Sequence, residues 1–142
     1  MKVYNAENHI LGRLASYLAK EALLGEEIVV VNCEKAVITG NRPQIIAHYH
    51  EHWQRGHHRW GPFPARKPDR FVRRVIRGML PFHKTSGREA FARVMCYIGL
   101  PEPFKKAQLE TVEKAHLKKV PNLKYIFVEE VCRLLGAKWQ QK

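Results

Sequence analysis

Apolar residues near the start of the chain form a helical repeat between two strand candidates. Val3, Tyr4 and Asn5 form a short strand candidate. A helical repeat of apolar residues comes next, at Leu11, Leu14, Ala15, Leu18 and Ala22. Residues 28–31 are then a continuous β-branched run, which is typical of a strand buried on both faces. Two strands joined by one helix predict a parallel pair with a right-handed crossover.

The pattern continues with a third strand candidate at residues 36–39 and a turn at Gly40 and Asn41. Pro43 suits the first turn of a second helix, which we expect to run to about Trp53. Residues 54–68 have no periodicity and contain two glycines and three prolines. A connection of this length inside a compact domain predicts a loop with a function of its own.

Two further helices are predicted in the middle of the chain. One begins near Asp69 and extends to Leu80. The other begins at Ser86, because residues 86–89 have capping-box spacing. Its apolar stripe is expected to continue to residue 98, before a stop at Gly99 and Pro101, and consists of Phe91, Val94, Met95 and Ile98.

The last forty residues are less informative. Residues 102–122 are polar and predict no definite element. Residues 125–128 predict a last strand, and Val131 and Leu135 predict a closing helix that ends at Gly136. Neither an internal repeat nor a linker is visible, so residues 1–142 are expected to form a single domain with a basic loop at about 54–68.

The charge distribution is the feature that most restricts the possible function. The 142 residues contain 25 Lys and Arg against 13 Asp and Glu, a net charge of +12. Residues 1–41 have a net charge of −1, residues 42–93 a net charge of +9 and residues 94–142 a net charge of +4. A localised positive excess of this size predicts a polyanionic partner, nucleic acid or an anionic membrane.

The predicted third helix has one charged face. Arginines recur at i, i+3, i+4 and i+7, and the apolar residues Val72, Val75, Ile76 and Met79 recur on the other side. The arginines are Arg70, Arg73, Arg74 and Arg77. A solvated charged face would have acidic partners four residues away, but Asp69 is the only acid in the helix. Phosphate binding is therefore favoured over a merely solvated face, since guanidinium groups donate to phosphate in a bidentate manner.

The basic loop adds cations among aromatic residues. The cations are Arg55, Arg59, Arg66 and Lys67, and the aromatic residues are Trp60 and Phe63. Aromatic rings among cations suit unpaired RNA, whose bases can stack while its phosphates are neutralised. The alternative is that Trp60 and Phe63 pin the loop to the domain, and the sequence leaves that choice open.

Five histidines between residues 48 and 58 raise the possibility of zinc. His48 and His52 have the i, i+4 spacing that can hold a metal from a helix. Glu51 is the sole acid nearby, and the H-E-x-x-H pattern is absent. The favoured interpretation is that these imidazoles lie beside RNA or on a wet surface, with a zinc-dependent hydrolase as the less favoured alternative.

No catalytic or nucleotide-binding motif is present. The turn after the first strand has one glycine where a dinucleotide fingerprint needs three, and no P-loop follows. Cys33, Cys96 and Cys132 lie in apolar runs and predict buried reduced thiols. The sequence has neither a signal-peptide pattern nor an apolar run of transmembrane length, so we expect no membrane partner and a cytoplasmic location.

Four strings in order resemble one family, the large-subunit ribosomal protein thirteen family in its archaeal-like form. They are ILGRLAS at residues 10–16, VNCEKAVITGN at 31–41, VIRGMLP at 75–81, and GREAF with YIGLP between 87 and 101. The resemblance runs from about Val3 to Pro101 and continues weakly at residues 134–139. A free-standing RNA- or DNA-binding regulator of the same fold is the alternative that composition leaves open.

The resemblance implies an α/β fold, a three-layer α/β/α domain with a mostly parallel four-stranded sheet. It implies a structural role in the large ribosomal subunit, with large-subunit ribosomal RNA and neighbouring large-subunit ribosomal proteins as partners. It implies support of subunit assembly and translation, with no enzyme activity, cofactor, metal or small-molecule substrate. By position it adds four RNA-binding residues to the helix and loop cations, namely Arg13, Lys84, Arg88 and Arg93.

Four positions depart from the family. Met95 stands where relatives often carry Lys, so either an RNA contact is missing or Met95 belongs to the core. His83, Thr85 and Ser86 also stand where archaeal relatives tend to be more basic or to have proline.

Overall fold

A computed structural model describes residues 1–121 and 124–139. Asn122, the last residue of the segment without a predicted element, and residues 140–142 of the expected domain lie outside the described residues. Within that range the strands are β1 (Lys2–Asn5), β2 (Ile28–Val31), β3 (Val37–Thr39), β4 (Val94–Cys96), β5 (Leu109–Glu110) and β6 (Tyr125–Phe127). The α-helices are α1 (Leu11–Leu23), α2 (Arg42–Gln54), α3 (Pro68–Met79), α4 (Thr85–Ala92) and α5 (Val128–Leu134).

The central sheet has the strand order β4-β2-β1-β5, and each neighbouring pair is parallel. Strands β1 and β2 pair in register from Lys2 opposite Ile28 to Asn5 opposite Val31, with α1 as the connection between them. The predicted parallel β-α-β unit is confirmed. Gly25 follows α1 with a φ of 102°, a conformation that favours glycine.

Two apolar clusters cover the two faces of this sheet. The larger cluster joins the inner faces of α1 and α3 to the sheet, and includes Leu18, Ile28, Val72 and Ile76. On the other face Val3, Val29 and Val31 are covered by Tyr97, Leu100, Phe104 and Ala107, from a segment with one short 3-10 turn (Glu102–Phe104). The predicted α/β class, with five helices and a parallel four-stranded sheet between two outer layers, is confirmed.

The prediction for residues 86–98 is wrong in two respects. The helix begins earlier, because Lys84 is its N-cap and no side chain caps it, so Ser86 lies inside α4 and forms no capping box. The helix also ends at Ala92, and Val94–Cys96 is strand β4, paired with β2. Val94 and Cys96 are buried while Met95 between them is 42% exposed, an alternation of period two that a three-residue strand makes too short to recognise.

Two smaller differences concern strands. The strand predicted at residues 36–39 is β3, but it pairs antiparallel with β6 in a separate two-stranded sheet. The fourth strand of the main sheet is β5, two residues in a segment where the sequence predicts no element. The closing helix before Gly136 is confirmed, and so is the predicted last strand at Tyr125–Phe127, whereas Val128, predicted to end that strand, begins α5.

Candidate nucleic-acid interface

Helix α3 is anchored on the core by one face. Pro68 lies in its first turn, and Phe71, Val72 and Ile76 are buried. The buried face differs slightly from the predicted one. Val75 is only half-buried and Met79 is 42% exposed, whereas Phe71, which was not predicted to belong to this face, is buried. Phe71 contacts Tyr49 of α2 with ring centroids 5.0 Å apart, which fixes α2 against α3.

The opposite side of α3 is the arginine face, which consists of Arg70, Arg73, Arg74 and Arg77. Arg70, Arg74 and Arg77 are exposed, and Arg73 is half-buried. Within the described part of the chain, none of the four forms an ion pair with a carboxylate. The arginine face therefore has positive charge that is not paired with a carboxylate in the ion pairs of residues 1–121 and 124–139.

Two phenylalanines hold two of these arginines in place. The guanidinium carbon of Arg73 lies 4.5 Å from the ring centroid of Phe91, and that of Arg77 lies 4.0 Å from the ring of Phe82. The two rings pack edge to face, with centroids 5.6 Å apart and an interplanar angle of 83°. Stacking on a packed ring restricts the rotamers of a guanidinium while leaving its N–H groups free at the edges.

Sequence reasoning missed Phe82 and Phe91 as functional residues. The available signal was weak, since Phe91 was assigned to the apolar stripe of its helix and Phe82 lies in the turn after Pro81. A groove of about 280 Å³ opens beside this pair, lined by Arg74, Arg77, Gly78, Leu80, Phe82 and His83. Two arginines and the apolar residues Leu80 and Phe82 therefore line the same groove.

The contact between α4 and the preceding turn sets the position of Phe91. Gly87 is buried, and a Cβ built on it would lie 2.1 Å from the backbone oxygen of Pro81. Only a residue without a side chain allows this approach. The aromatic pair is therefore positioned by a backbone-to-backbone contact between α4 and the segment that carries Phe82.

The basic loop, residues 55–67, carries a small hairpin that we call the tip hairpin, residues 57–61. The His57 N–H donates to Gly61 O at 3.0 Å, and the Gly61 N–H donates to His57 O at 2.9 Å. The Arg59 N–H donates to the His57 imidazole Nδ1 at 3.2 Å. These reciprocal bonds define the backbone that carries Trp60.

The two loop aromatics lie on the surface. Trp60 is 85% exposed and Phe63 is 72% exposed, so neither pins the loop to the domain. That function belongs instead to Trp53, whose ring lies 4.2 Å from the guanidinium carbon of Arg66. Arg66 also approaches the turn at Gly136, within 3.3 Å of the position that a Cβ would take there.

The loop cations differ in their surroundings. Arg55 forms an i, i+4 ion pair with Glu51, and this contact lowers the pKa of the Glu51 carboxyl. Arg59 and Lys67 are exposed and form no ion pair with a carboxylate within residues 1–121 and 124–139. The loop thus presents unneutralised charge on both sides of its aromatics.

The four positions carried over from the family are divided between surface and structure. Arg13 is exposed on α1, and Lys84 is exposed at the N-cap of α4. Arg88 donates to the backbone oxygens of Phe82 and His83, at 3.4 Å each. Arg93 donates to Ala22 O at 3.2 Å and lies 3.9 Å from Glu89, so it ties the end of α4 to the end of α1.

The histidines of α2 and the loop form pairs, not a ligand set. His48 and His52 are in edge contact, with ring centroids 4.9 Å apart, and His57 and His58 are 4.3 Å apart. Among the residues that the structure describes, no group of three His, Cys, Asp or Glu side chains is placed to hold a metal ion. The zinc interpretation thus gains no third ligand from the fold.

The three cysteines are free and buried. Burial raises the pKa of the Cys132 thiol to about 12, and burial together with the neighbouring Cys96 raises that of Cys33. A thiol with a raised pKa is a poor nucleophile at neutral pH. In the described residues, no helix is both long enough and apolar enough to span a bilayer.

Comparison with known proteins agrees with the resemblance seen in the sequence. The family model described as Ribosomal protein L13 matches residues 1–103. The Large ribosomal subunit protein uL13 of Methanocaldococcus jannaschii is 46% identical over 143 residues, covering 98% of this chain and 100% of the relative. Those of Archaeoglobus fulgidus and Methanosarcina barkeri are 45% and 42% identical, covering 94% and 98% of this chain and 86% and 100% of theirs. The chain belongs to the ribosomal protein L13 family, in a form similar to its archaeal members.

Proposed function

We propose that the chain is a structural constituent of the large ribosomal subunit that binds large-subunit ribosomal RNA and supports subunit assembly and translation. Its family and the names of its relatives support the ribosomal role. The observation that carries RNA binding is the arginine face of α3, whose charge no carboxylate of the described chain neutralises. The protein is not an enzyme, and the proposal requires no cofactor or small-molecule substrate.

The mechanism is charge neutralisation by cations already held in position. Each phosphate that pairs with Arg or Lys releases condensed counterions, so affinity depends steeply on salt. Because Arg73 and Arg77 stack on Phe91 and Phe82, less side-chain entropy is lost when they bind. Phosphate contacts set the position of the protein, while the shape of folded RNA provides the specificity.

The proposed RNA-binding residues extend from α3 to both neighbouring segments. On one side are Arg55, Arg59, Arg66 and Lys67, and on the other Lys84, Arg88 and Arg93, with Arg13 on α1. Arg66, Arg88 and Arg93 also contact other parts of the protein. We therefore expect them to hold the local structure in place as well as to contribute positive charge. Neighbouring ribosomal proteins would occupy surfaces outside this set.

A charge-reversal pair tests RNA binding by α3. Arg74→Glu with Arg77→Glu changes two exposed residues that line one groove. We expect weaker binding to large-subunit ribosomal RNA and a salt slope reduced by about 1.4 to 1.8, since each contact contributes about 0.7 to 0.9. Filter binding at several salt concentrations measures both, and a thermal melt checks the fold.

The matched control reverses the same charge elsewhere. Lys105→Glu with Lys106→Glu changes exposed residues in the segment that covers the other face of the sheet. We expect this variant to retain most of the affinity and the salt slope. Equal losses in the two variants would contradict a localised interface and leave only nonspecific basicity.

Sedimentation distinguishes the ribosomal role from that of a free-standing regulator. Tagged protein expressed in an archaeal host is expected to sediment with large subunits in a sucrose gradient and to remain there after a moderate salt wash. Protein found only in the free fraction would favour the regulator. Fewer mature subunits upon depletion would support the assembly role.

A further inference from the structure

The loop and α3 present different chemistry to RNA. Residues 52–68 contain four Lys and Arg and no Asp or Glu, together with the exposed rings of Trp60 and Phe63. The arginine face has its aromatic rings on the inside, where Phe82 and Phe91 support guanidinium groups. In the loop the rings are outside, and a partner can reach their faces.

A tryptophan that is 85% exposed needs an explanation, because it leaves a large apolar surface in water. Trp60 lies within a hairpin closed by two backbone hydrogen bonds of 3.0 and 2.9 Å, so its backbone position is fixed before any partner binds. Gly56 allows this geometry with a φ of 109°, and a Cβ there would lie 2.4 Å from Gly61 O. The fold thus holds an exposed indole at a defined position.

A cavity lies behind the hairpin. Its volume is about 590 Å³, within the range of roughly 300–1,000 Å³ of small-molecule sites, and Trp53, His57, Phe63 and Arg66 are among its lining residues. Arg55 also lines it, so aromatic surface and positive charge meet in one concave site. That combination suits a nucleotide, with its base against a ring and its phosphate near a guanidinium.

We infer that the basic loop binds an unpaired nucleotide of RNA, whose base stacks on Trp60 of the tip hairpin or on Phe63 in the cavity, while α3 binds phosphates of paired segments. The inference rests on the proposed RNA binding and assigns the loop a separate ligand class. Charge complementarity selects RNA over a neighbouring protein as the occupant, because the loop is basic without interruption. Stacking tolerates any base, so the site recognises that a base is unpaired and not which base it is.

Two RNA probes of equal length separate the two surfaces. One is an unstructured oligo(U) and the other a fully paired RNA duplex, each titrated against the full chain. Trp60→Ala with Phe63→Ala is expected to lower the affinity for oligo(U) by about 5- to 150-fold, the range for loss of one stacked base. Affinity for the duplex and both salt slopes are expected to stay unchanged, because no cation is removed.

Two control variants and a crosslinking experiment test whether the loss of oligo(U) affinity is due to the aromatic rings. Trp60→Phe retains a ring and is expected to restore most of the affinity for oligo(U). Leu24→Ala removes another exposed apolar side chain, 70% exposed at the end of α1, and is expected to change neither affinity. Oligo(U) containing 4-thiouridine is expected to crosslink under ultraviolet light to the tryptic peptide of residues 60–66, identified by mass spectrometry.

The outcomes distinguish this inference from the proposed function. Unchanged affinity for oligo(U) in the double variant, or an equal loss for oligo(U) and duplex, would overturn the inference while RNA binding by α3 stands. Crosslinks found only outside residues 60–66 would also overturn the inference, because the RNA would then not lie against Trp60 or Phe63. Absence of binding to both probes and to ribosomal RNA by the unmodified chain would overturn the proposed function itself.

Discussion

Helix α3 and the tip hairpin both combine cations with aromatic rings, but they are built in opposite ways. The arginine face is supported by the core: Phe71, Val72 and Ile76 are buried beneath it. The hairpin is supported by itself, through the paired backbone groups of His57 and Gly61. A surface fixed by the core should lose its conformation only when the whole domain unfolds, whereas a self-contained hairpin can open locally while the domain stays folded.

The order of the groups differs as well. On the arginine face of α3, two guanidinium groups lie over aromatic rings from the segment that follows, so a partner contacts the positive charge before the rings. In the basic loop Trp60 and Phe63 are exposed, so a partner can contact the rings directly. One protein can therefore hold phosphates in one place and a base in another, with the same residue types in reversed order.

Substitutions at two glycines, one near each region, test this difference most directly. Gly87→Ala would place a methyl group against Pro81 O, in the contact that positions Phe91. We expect it to lower the free energy of unfolding by about 1–3 kcal/mol, the usual range for overpacking, and to weaken duplex binding. Gly56→Ala is expected to open the hairpin, with a change in unfolding free energy within about 0.5 kcal/mol and weaker oligo(U) binding.

Denaturant unfolding and the two RNA titrations measure these effects together. Gly12→Ala is the control, because nothing lies within 4 Å of its Cβ position and it stands in a helix. We expect it to be neutral or slightly stabilising. If Gly56→Ala destabilised the whole domain as much as Gly87→Ala, the hairpin would not be an independent unit.

A change at the far edge of the sheet separates stability from binding. His9 is buried; its Nδ1 lies 2.7 Å from Glu7 O, and its Nε2 accepts the Val112 N–H at 3.2 Å. This arrangement requires the neutral ring with the proton on Nδ1. His9→Phe is expected to cost about 1–3 kcal/mol of unfolding free energy, the penalty of leaving a buried N–H without an acceptor.

The same histidine predicts a pH dependence with a definite sign. Burial is the main reason that the pKa of His9 is lowered, and the nearby His116 adds to it. The unfolded chain therefore binds a proton more readily, so the stabilisation is present above pH about 6.5 and is lost as pH falls through the lowered pKa. Unfolding from pH 8 to 5 should show a smaller decline in His9→Phe, with RNA affinity at pH 8 unchanged. A parallel decline would assign the acid sensitivity to another group.

Local patterns predicted the parts of the fold whose partners lie close in the chain. The β1-α1-β2 unit follows from a helical repeat, one closing glycine and a continuous β-branched run, all within the first 31 residues. Strand β4 was mistaken for helix because its conformation depends on pairing with β2, which is distant in the chain. Strand β5 has two residues and is defined only by pairing with β1, so no local pattern could predict it.

The candidate site divides in the same way. The row of four arginines follows from helical spacing, and the structure places it on a solvent-facing side of α3. The sequence could not decide whether Trp60 packs on the domain or is free to stack on a partner, because the exposure of its ring depends on tertiary contacts. The support of Arg77 by Phe82 also required it, since the two come from α3 and the turn that follows it.

The smallest expected effect compares an arginine from each region. Arg77→Lys retains the charge but loses the planar group that stacks on Phe82, so we expect a two- to fivefold weaker duplex affinity from a contact of about 0.5–1 kcal/mol. Arg59→Lys is the matched change in the hairpin, at an exposed residue, and should alter affinity by less than about twofold. Salt slopes should stay equal in both, since neither change removes a charge. Equal losses from the two substitutions would show that the aromatic support of α3 contributes nothing, and that its arginines act as free surface charges.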